Sequence, residues 1–259
     1  MSYALITGAS KGIGKAIAQE LAKRNIDVLL IARNETLLQQ AAATLSEQYH
    51  IKADYLSIDL TQPNAANAIL DWCHKNNYSV HILINNAGYG LSGAFDKYSL
   101  QEQLDNMQVN MTVPVQLTAL FLPSLKLQPK SYILNIASSA AYQAVPGLSL
   151  YAASKSFILH FSRGLSYELR KTNISVTVVS PGSTDTDFAH RANVGIKALK
   201  TAEKVNMQPT EVATIAVDAM FSGKKEIITG LINKLGAFFV WLLPKTLSEK
   251  VAASIYDLN

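Results

Sequence analysis

The sequence predicts an α/β protein: a doubly wound, Rossmann-type parallel sheet of about seven strands with helices on both faces. Three observations lead there. Short β-branched or aliphatic runs alternate along the whole chain with longer helix-compatible stretches. The runs are almost wholly apolar rather than alternating, as expected of parallel strands covered on both sides. A glycine-rich turn follows the first run directly and opens a helix.

In order, YALIT (3–7) is the first strand, and the glycine turn leads into the helical pattern KAIAQELAKR (15–24). DVLLIA (27–32) precedes the helix ETLLQQAAATLSEQY (35–49), and ADYLSI (53–58) and VHILIN (80–85) are the third and fourth strands. SYILNIA (131–137), ISVTVVS (174–180) and EIITG (226–230) complete the sheet, each bounded by turn residues. No long Pro/Gly/Ser linker, low-complexity tract or internal repeat interrupts the alternation, so residues 1–259 read as one domain. The least regular stretch runs from Ser183 to Gln208, before a helix beginning near Pro209. Long connections beyond strand ends are where substrate loops sit.

With 49% apolar and 16% charged residues the chain has enough material for a well-buried core. Its net charge of +4 comes from scattered lysines and arginines, so nothing points to nucleic acid. The single cysteine, Cys73, excludes an internal disulfide and any multi-cysteine zinc site. His50, His74, His81, His160 and His190 lack metal-ligand spacing, and no metal is expected. The start MSYALITG enters the first strand without a signal-like segment, so the cytoplasm is the expected location. Only GLINKLGAFFVWLLPK (230–245) suggests a membrane. Its uncharged part, Leu235 to Leu243, is shorter than the roughly 20 apolar residues a span needs. Two readings of the apolar segment 231–259 stand: a lid or subunit-interface helix, and a peripheral membrane contact.

ALITGASKGIGKAIAQELAK holds Gly8, Gly12 and Gly14 between strand and helix. Glycines let a backbone approach a pyrophosphate, and a new helix offers free N–H groups and its positive dipole end. The spacing is G-x-x-x-G-x-G, unlike the common G-x-G-x-x-G. GASKG also fits the G-x-S-x-G nucleophile elbow of α/β-hydrolases with Ser10 as nucleophile, but that fold needs further strands ahead of the elbow. At the tip of the second strand stand Ala32 and Arg33, where an NAD site would place an acid, and the glycine turn carries Lys11. Two cations at the adenosine ribose favour a 2′-phosphate, hence NADP(H) over NAD(H). The alternative makes both ordinary surface cations and Glu35 the ribose acid.

TGASKGIG, Asp59, NNAG (85–88), Asn110, NIASS, YAASK and PGSTDT (181–186), in this order and spacing, resemble the short-chain dehydrogenase/reductase family in its compact form. The resemblance implies that Thr7, Gly8, Ser10, Lys11, Gly12, Ile13 and Gly14 bind the cofactor. Asp59 and Leu60 would border the adenine, and Asn86, Ala87 and Gly88 the adenosine. Pro181, Gly182, Thr184 and Thr186 would hold the nicotinamide end. Taken singly, Asp59 also suits a helix cap and NNAG a tight strand-end turn.

Tyr151 and Lys155 of YAASK share one face of a helix, as do Tyr167 and Lys171 of YELRK. A carbonyl reductase needs a proton donor, and a phenol of pKa about 10 serves in both directions only if its phenolate is stabilised, as a nearby ammonium does. In the family a serine thirteen residues before the tyrosine also holds the substrate oxygen; here that is Ser138. Ser154 stands equally far before Tyr167, but thirteen residues of one helix span about 20 Å, which separates that pair. YAASK is therefore the site. The resemblance further gives Lys155 the nicotinamide ribose and Asn110 a proton-relay water; an ordinary helix-kink role for Asn110 is the alternative. The expected activity is NADP(H)-dependent interconversion of a ketone or aldehyde and an alcohol, on an aliphatic or 3-oxoacyl-type substrate, by a homodimer or homotetramer. A non-catalytic NADP(H)-binding sensor and the Ser10 hydrolase are the alternatives.

Overall fold

The computed structural model describes residues 2–186, 188, 192, 194–195 and 206–255, the side chain of Ile255 apart. Seven strands form one parallel sheet: β1 (Ser2–Thr7), β2 (Asp27–Ala32), β3 (Ala53–Ser57), β4 (Ser79–Asn85), β5 (Ser131–Ile136), β6 (Ile174–Ser180) and β7 (Glu226–Ile228). Their spatial order is β3-β2-β1-β4-β5-β6-β7. The order reverses between β1 and β4, and the crevice beyond the strand ends at such a reversal is where ligands bind in open α/β sheets.

The two-residue period of a strand sends neighbours to opposite faces, so each strand feeds two cores. Ala4 and Ile6 of β1 pack with Ile17 and Leu21 of α1 (Gly12–Ala22), Leu38 of α2 (Glu35–Tyr49) and Val217. Leu5 faces the other way, toward Ile69 of α3 (Ala65–Lys75) and Leu117 and Phe121 further along the chain. The near-continuous apolar runs are thus explained: both faces of the sheet are buried.

Beyond β4, α4 (Leu100–Met107) passes through a π-helical turn, Gln108–Thr112, into α5 (Val113–Leu127). α6 (Ser149–Glu168) follows β5 and a 3-10 turn at Ser139–Tyr142. α7 (Pro209–Phe221) begins where the sequence places it, on a capping box between Gln208 and Glu211. α8 (Leu231–Leu242) and α9 (Lys245–Ile255) follow β7. Most of the irregular stretch before α7, His190 included, lies outside the described residues. Its base is closed: Met207 N–H donates to Ser183 O, and Asp185 N–H to Met207 O.

Candidate active site

The glycine turn is built from close contacts that no side chain tolerates. Gly8 has φ +68° and Gly12 φ +55°, backbone that L-residues rarely adopt. A Cβ on Gly8 would lie 2.8 Å from Asn86 Nδ2, and one on Gly14 would collide with the Gly8 carbonyl and the Asn86 amide. Gly8 N–H donates to Ile31 O at 2.7 Å, anchoring the turn to β2. Lys11 occupies the N-cap of α1, and its side chain makes no cap hydrogen bond to the helix. Ser10 is half-buried in the turn, and Ile13 packs against the core.

Thr7 and Asn86 clamp β1 to the end of β4. Asn86 N–H and Ala87 N–H both donate to Thr7 Oγ1, at 3.0 and 3.1 Å, and Asn86 Nδ2 donates to Thr7 O at 2.9 Å. NNAG is therefore more than a strand-end turn, because its side chains hold the glycine loop. Asn85, one residue earlier, is buried and donates to Asn135 Oδ1 of β5 at 2.9 Å.

On the β2 side, Arg33 Nη1 lies 3.8 Å from Asp59 Oδ2, both groups well exposed. Asp59 also accepts from Thr61 N–H at 3.0 Å, a local turn, while α3 starts later with Asn64 at its N-cap. The helix-cap reading of Asp59 is thereby replaced by a turn and an ion pair. Leu60 is buried in the core beneath them.

The catalytic candidates meet at the C-terminal end of β5. Ser138 caps the 3-10 turn, its Oγ accepting from Ala140 N–H at 3.1 Å. Val145–Gly147 then reverses the chain, with Gly147 at φ +83° and Leu148 N–H donating to Val145 O. α6 begins two residues later and carries Tyr151 into a buried cluster with Val145, Leu148, Ala152 and Ala252, against which Ala140 packs. The phenol ring also faces Phe188, centroids 5.0 Å apart.

One turn on, Lys155 is buried, donates to Ile136 O at 2.8 Å, and sits 5.8 Å from the Tyr151 ring centroid. Burial disfavours its charged form and lowers the ammonium pKa to about 8. A Cβ on Gly88 would lie 3.2 Å from both Lys155 Nζ and Asn110 Oδ1, so Gly88 keeps these two groups within reach of one small space.

Asn110 falls within the π turn, a helix irregularity frequent at functional sites. It accepts from Tyr89 N–H at 3.1 Å and donates to Tyr89 O at 2.9 Å and Ser154 Oγ at 3.1 Å. Ser154 is thus a buried tie between α6 and the π turn, a use that its position thirteen residues before Tyr167 did not reveal. The i,i+4 spacing of Asn106 and Asn110, whose side chains also meet at 3.3 Å, was the available signal. Tyr167, by contrast, is 60% exposed with Arg170 stacked on its ring at 3.7 Å, so YELRK is a surface arrangement.

The loop after β6 closes the other side. Ser139 N–H donates to Pro181 O at 2.7 Å, Thr184 Oγ1 to Gly182 O at 3.2 Å, and a Cβ on Gly12 would lie 3.0 Å from Thr186. Lys11, Gly12, Lys15, Asp185 and Thr186 line one open cleft. Asn233 of α8 was missed from sequence: a Cβ on Gly182 would overlap its amide, which donates to Thr229 O at 2.8 Å. Ser10 has one strand ahead of it, and that strand lies inside the sheet. The described histidines, cysteine and carboxylates form no group of three that could hold a metal ion.

Comparison with known proteins agrees with this architecture. The family profile for short chain dehydrogenases matches residues 2–197. The 17-beta-hydroxysteroid dehydrogenase type 3 of Mus musculus is 33% identical over 236 residues, covering 90% of this chain and 76% of that protein. The very-long-chain 3-oxoacyl-CoA reductase of Anas platyrhynchos is 36% identical over 188 residues, covering 70% of this chain and 59% of that protein. Among solved structures, a short-chain dehydrogenase from Sphingobium yanoikuyae in complex with NADPH superposes with TM-score 0.80 at 29% identity, covering 93% and 94% of the two chains. A bulky-bulky ketone specific alcohol dehydrogenase from Comamonas testosteroni gives 0.77 at 30%, covering 93% of each. With its family profile, its parallel sheet and its glycine turn in agreement, this chain belongs to the short-chain dehydrogenase family of oxidoreductases.

Proposed function

We propose that the protein is an NADP(H)-dependent oxidoreductase that interconverts a bulky aliphatic or 3-oxoacyl-type carbonyl and its alcohol. The observation that carries this reading is that Tyr151 packs against Ala140 of the turn capped by Ser138, with Lys155 one helical turn on and anchored to the end of β5.

The residues present suit a dinucleotide. Gly8, Gly12 and Gly14 leave the backbone bare where a pyrophosphate would press, and the N–H groups opening α1 suit its charge. Arg33 stands at the β2 tip in place of an acid, and Lys11 in the adjoining turn. The Arg33–Asp59 pair is exposed, and exposed pairs contribute only about 0–1 kcal/mol, so a 2′-phosphate could draw Arg33 away from it. The Sphingobium yanoikuyae relative was solved with NADPH, which favours the same choice.

When bound, the nicotinamide supplies hydride to the carbonyl carbon. The Ser138 hydroxyl hydrogen-bonds the substrate oxygen, and the Tyr151 phenol donates its proton to that oxygen as negative charge develops there. Lys155 stabilises the phenolate left behind. Both amide hydrogens of Asn110 are spent on protein acceptors, so a relay water there would donate to an Asn110 oxygen; its Oδ1 and Lys155 Nζ border the same small space at Gly88. In the reverse direction each proton retraces its path.

Support for a bulky apolar substrate comes from Leu91, Phe95, Tyr98, Pro146 and Leu150, which line a pocket at the start of α6, Leu150 being the residue before Tyr151. The relatives named for very-long-chain 3-oxoacyl and hydroxysteroid chemistry point the same way. Fluorescence titration with NADPH and NADH, followed by ketones of increasing chain length, tests both parts. NADPH binding tighter than NADH, with oxidation by long-chain ketones, is expected; binding of neither nucleotide would overturn the reading.

A further inference from the structure

α8 is amphipathic in the reverse of the usual sense. Its 12 residues carry none that is buried. At 100° per residue the side chains sort into two halves. Asn233, Ala237 and Val240, all half-buried, face the protein, Asn233 being held to Thr229. The large side chains take the opposite half: Leu231, Ile232, Leu235, Phe238, Phe239 and Trp241 are 49–74% exposed. A surface helix ordinarily turns such residues inward.

α9 exposes large apolar side chains as well: Leu247 and Val251, one turn apart, are 46% and 56% exposed. α9 itself is seated by its other side, since Ser248 is buried and Ala252 lies in the cluster that holds Tyr151. Three exposed lysines belong to these two helices, Lys234, Lys250 and Lys245, the last donating to the Val240 carbonyl at the end of α8, against the one acid Glu249. No described helix is long and apolar enough to cross a membrane, and α8 reaches only about 18 Å at 1.5 Å per residue.

We propose that the α8–α9 face is a peripheral docking surface for an anionic lipid bilayer. Aromatic and leucine side chains on one half of the helix, with exposed lysines on the same pair of helices, match a helix lying in the plane of a membrane interface. Charge decides between lipid and a second copy of the chain. An isologous contact through this face would set its net positive charge against itself, whereas anionic headgroups neutralise it. Because Ala252 packs in the Tyr151 cluster, docking brings the tyrosine's surroundings close to the lipid surface.

The test uses the full chain with sedimenting vesicles, either phosphatidylcholine alone or phosphatidylcholine with phosphatidylglycerol. Wild-type protein is expected to pellet with the anionic vesicles, less so in high salt. The emission of Trp241, read in a Trp72→Phe background, is expected to shift to the blue. Lys234→Glu with Lys250→Glu should weaken binding by roughly tenfold or more, since each lysine near an anionic surface is worth about 1 kcal/mol. Phe238→Ser with Trp241→Ser should abolish pelleting while circular dichroism and melting stay those of a folded protein. Wild-type protein that stays in the supernatant with both vesicle types overturns the proposal. So does a concentration-dependent dimer, measured without lipid by light scattering, that the Phe238/Trp241 variant dissociates.

Discussion

The Lys155 ammonium lies 5.8 Å from the centroid of the Tyr151 ring, yet its hydrogen bond goes to the Ile136 carbonyl of β5. The sheet, rather than the tyrosine, thus positions the lysine. The charge is held beside the phenol by an anchor that stays put when the phenol changes protonation state. That arrangement makes the roles of the two residues separable by mutation.

Tyr151→Phe removes the proton donor while the ring keeps its cluster with Val145, Leu148 and Phe188. Turnover should fall by about 10²–10⁴-fold, the usual contribution of a positioned acid. NADPH affinity and melting temperature should remain close to wild type. Turnover within a few-fold of wild type would remove Tyr151 from the mechanism.

The burial of Lys155 carries a pH signature. Its pKa falls to about 8 in the folded protein, below the roughly 10.4 of an unfolded lysine. Between these values the unfolded chain binds more protons, so this group makes stability rise with pH. The penalty is present in full below pH 8 and is relieved as pH climbs from about 8 toward 10.4. Urea unfolding of nucleotide-free wild type and Lys155→Met at several pH values isolates it. The difference should move in favour of wild type as pH rises from 7.5 to about 10; a flat difference would show that the ammonium is not desolvated.

Gly14→Ala places a methyl against the Gly8 carbonyl and the Asn86 amide. Overpacking of this kind costs about 1–3 kcal/mol, so a lowered melting temperature is expected. Because both partners belong to the glycine loop and its clamp, nucleotide binding should be lost in protein that still folds. Isothermal titration with NADPH below the new melting temperature distinguishes local distortion of the loop from global unfolding.

Arg33→Asp exchanges the cation at the β2 tip for an acid suited to a ribose hydroxyl. Losing a charge-assisted bond worth about 1.5–3 kcal/mol should weaken NADPH by about 10- to 100-fold. NADH binding should stay level or improve. Equal effects on the two nucleotides would place Arg33 away from the 2′ position and return attention to Glu35.

Much of this was readable from residue order. The apolar runs located all seven strands, and α2 covers Glu35–Tyr49, as its pattern indicates. That Ser154 and Tyr167 are held apart needed only the rise of a helix, and the structure keeps both on α6. Less was readable where a contact joins distant segments. In sequence Asp59 suits the adenine border by resemblance or, singly, a helix cap, but neither reading discloses its ion partner Arg33 at the neighbouring strand's end. Ser154 looks like a counterpart of Tyr167, but it bonds Asn110, 44 positions away.

Local chemistry therefore determined the elements, the glycine turn and the Tyr–Lys pair, because period, turn residues and helical spacing act within a few positions of one another. Tertiary structure alone decided which groups share a site and which faces stay uncovered. Lys155 takes its anchor from β5, Gly88 its fit between Asn110 and Lys155, and Gly182 its contact with Asn233. The outward turn of Phe238 and Trp241 likewise depends on how α8 settles against the loop after β6. No local rule supplies that, because the side a helix buries is set by what the rest of the chain offers it to pack against.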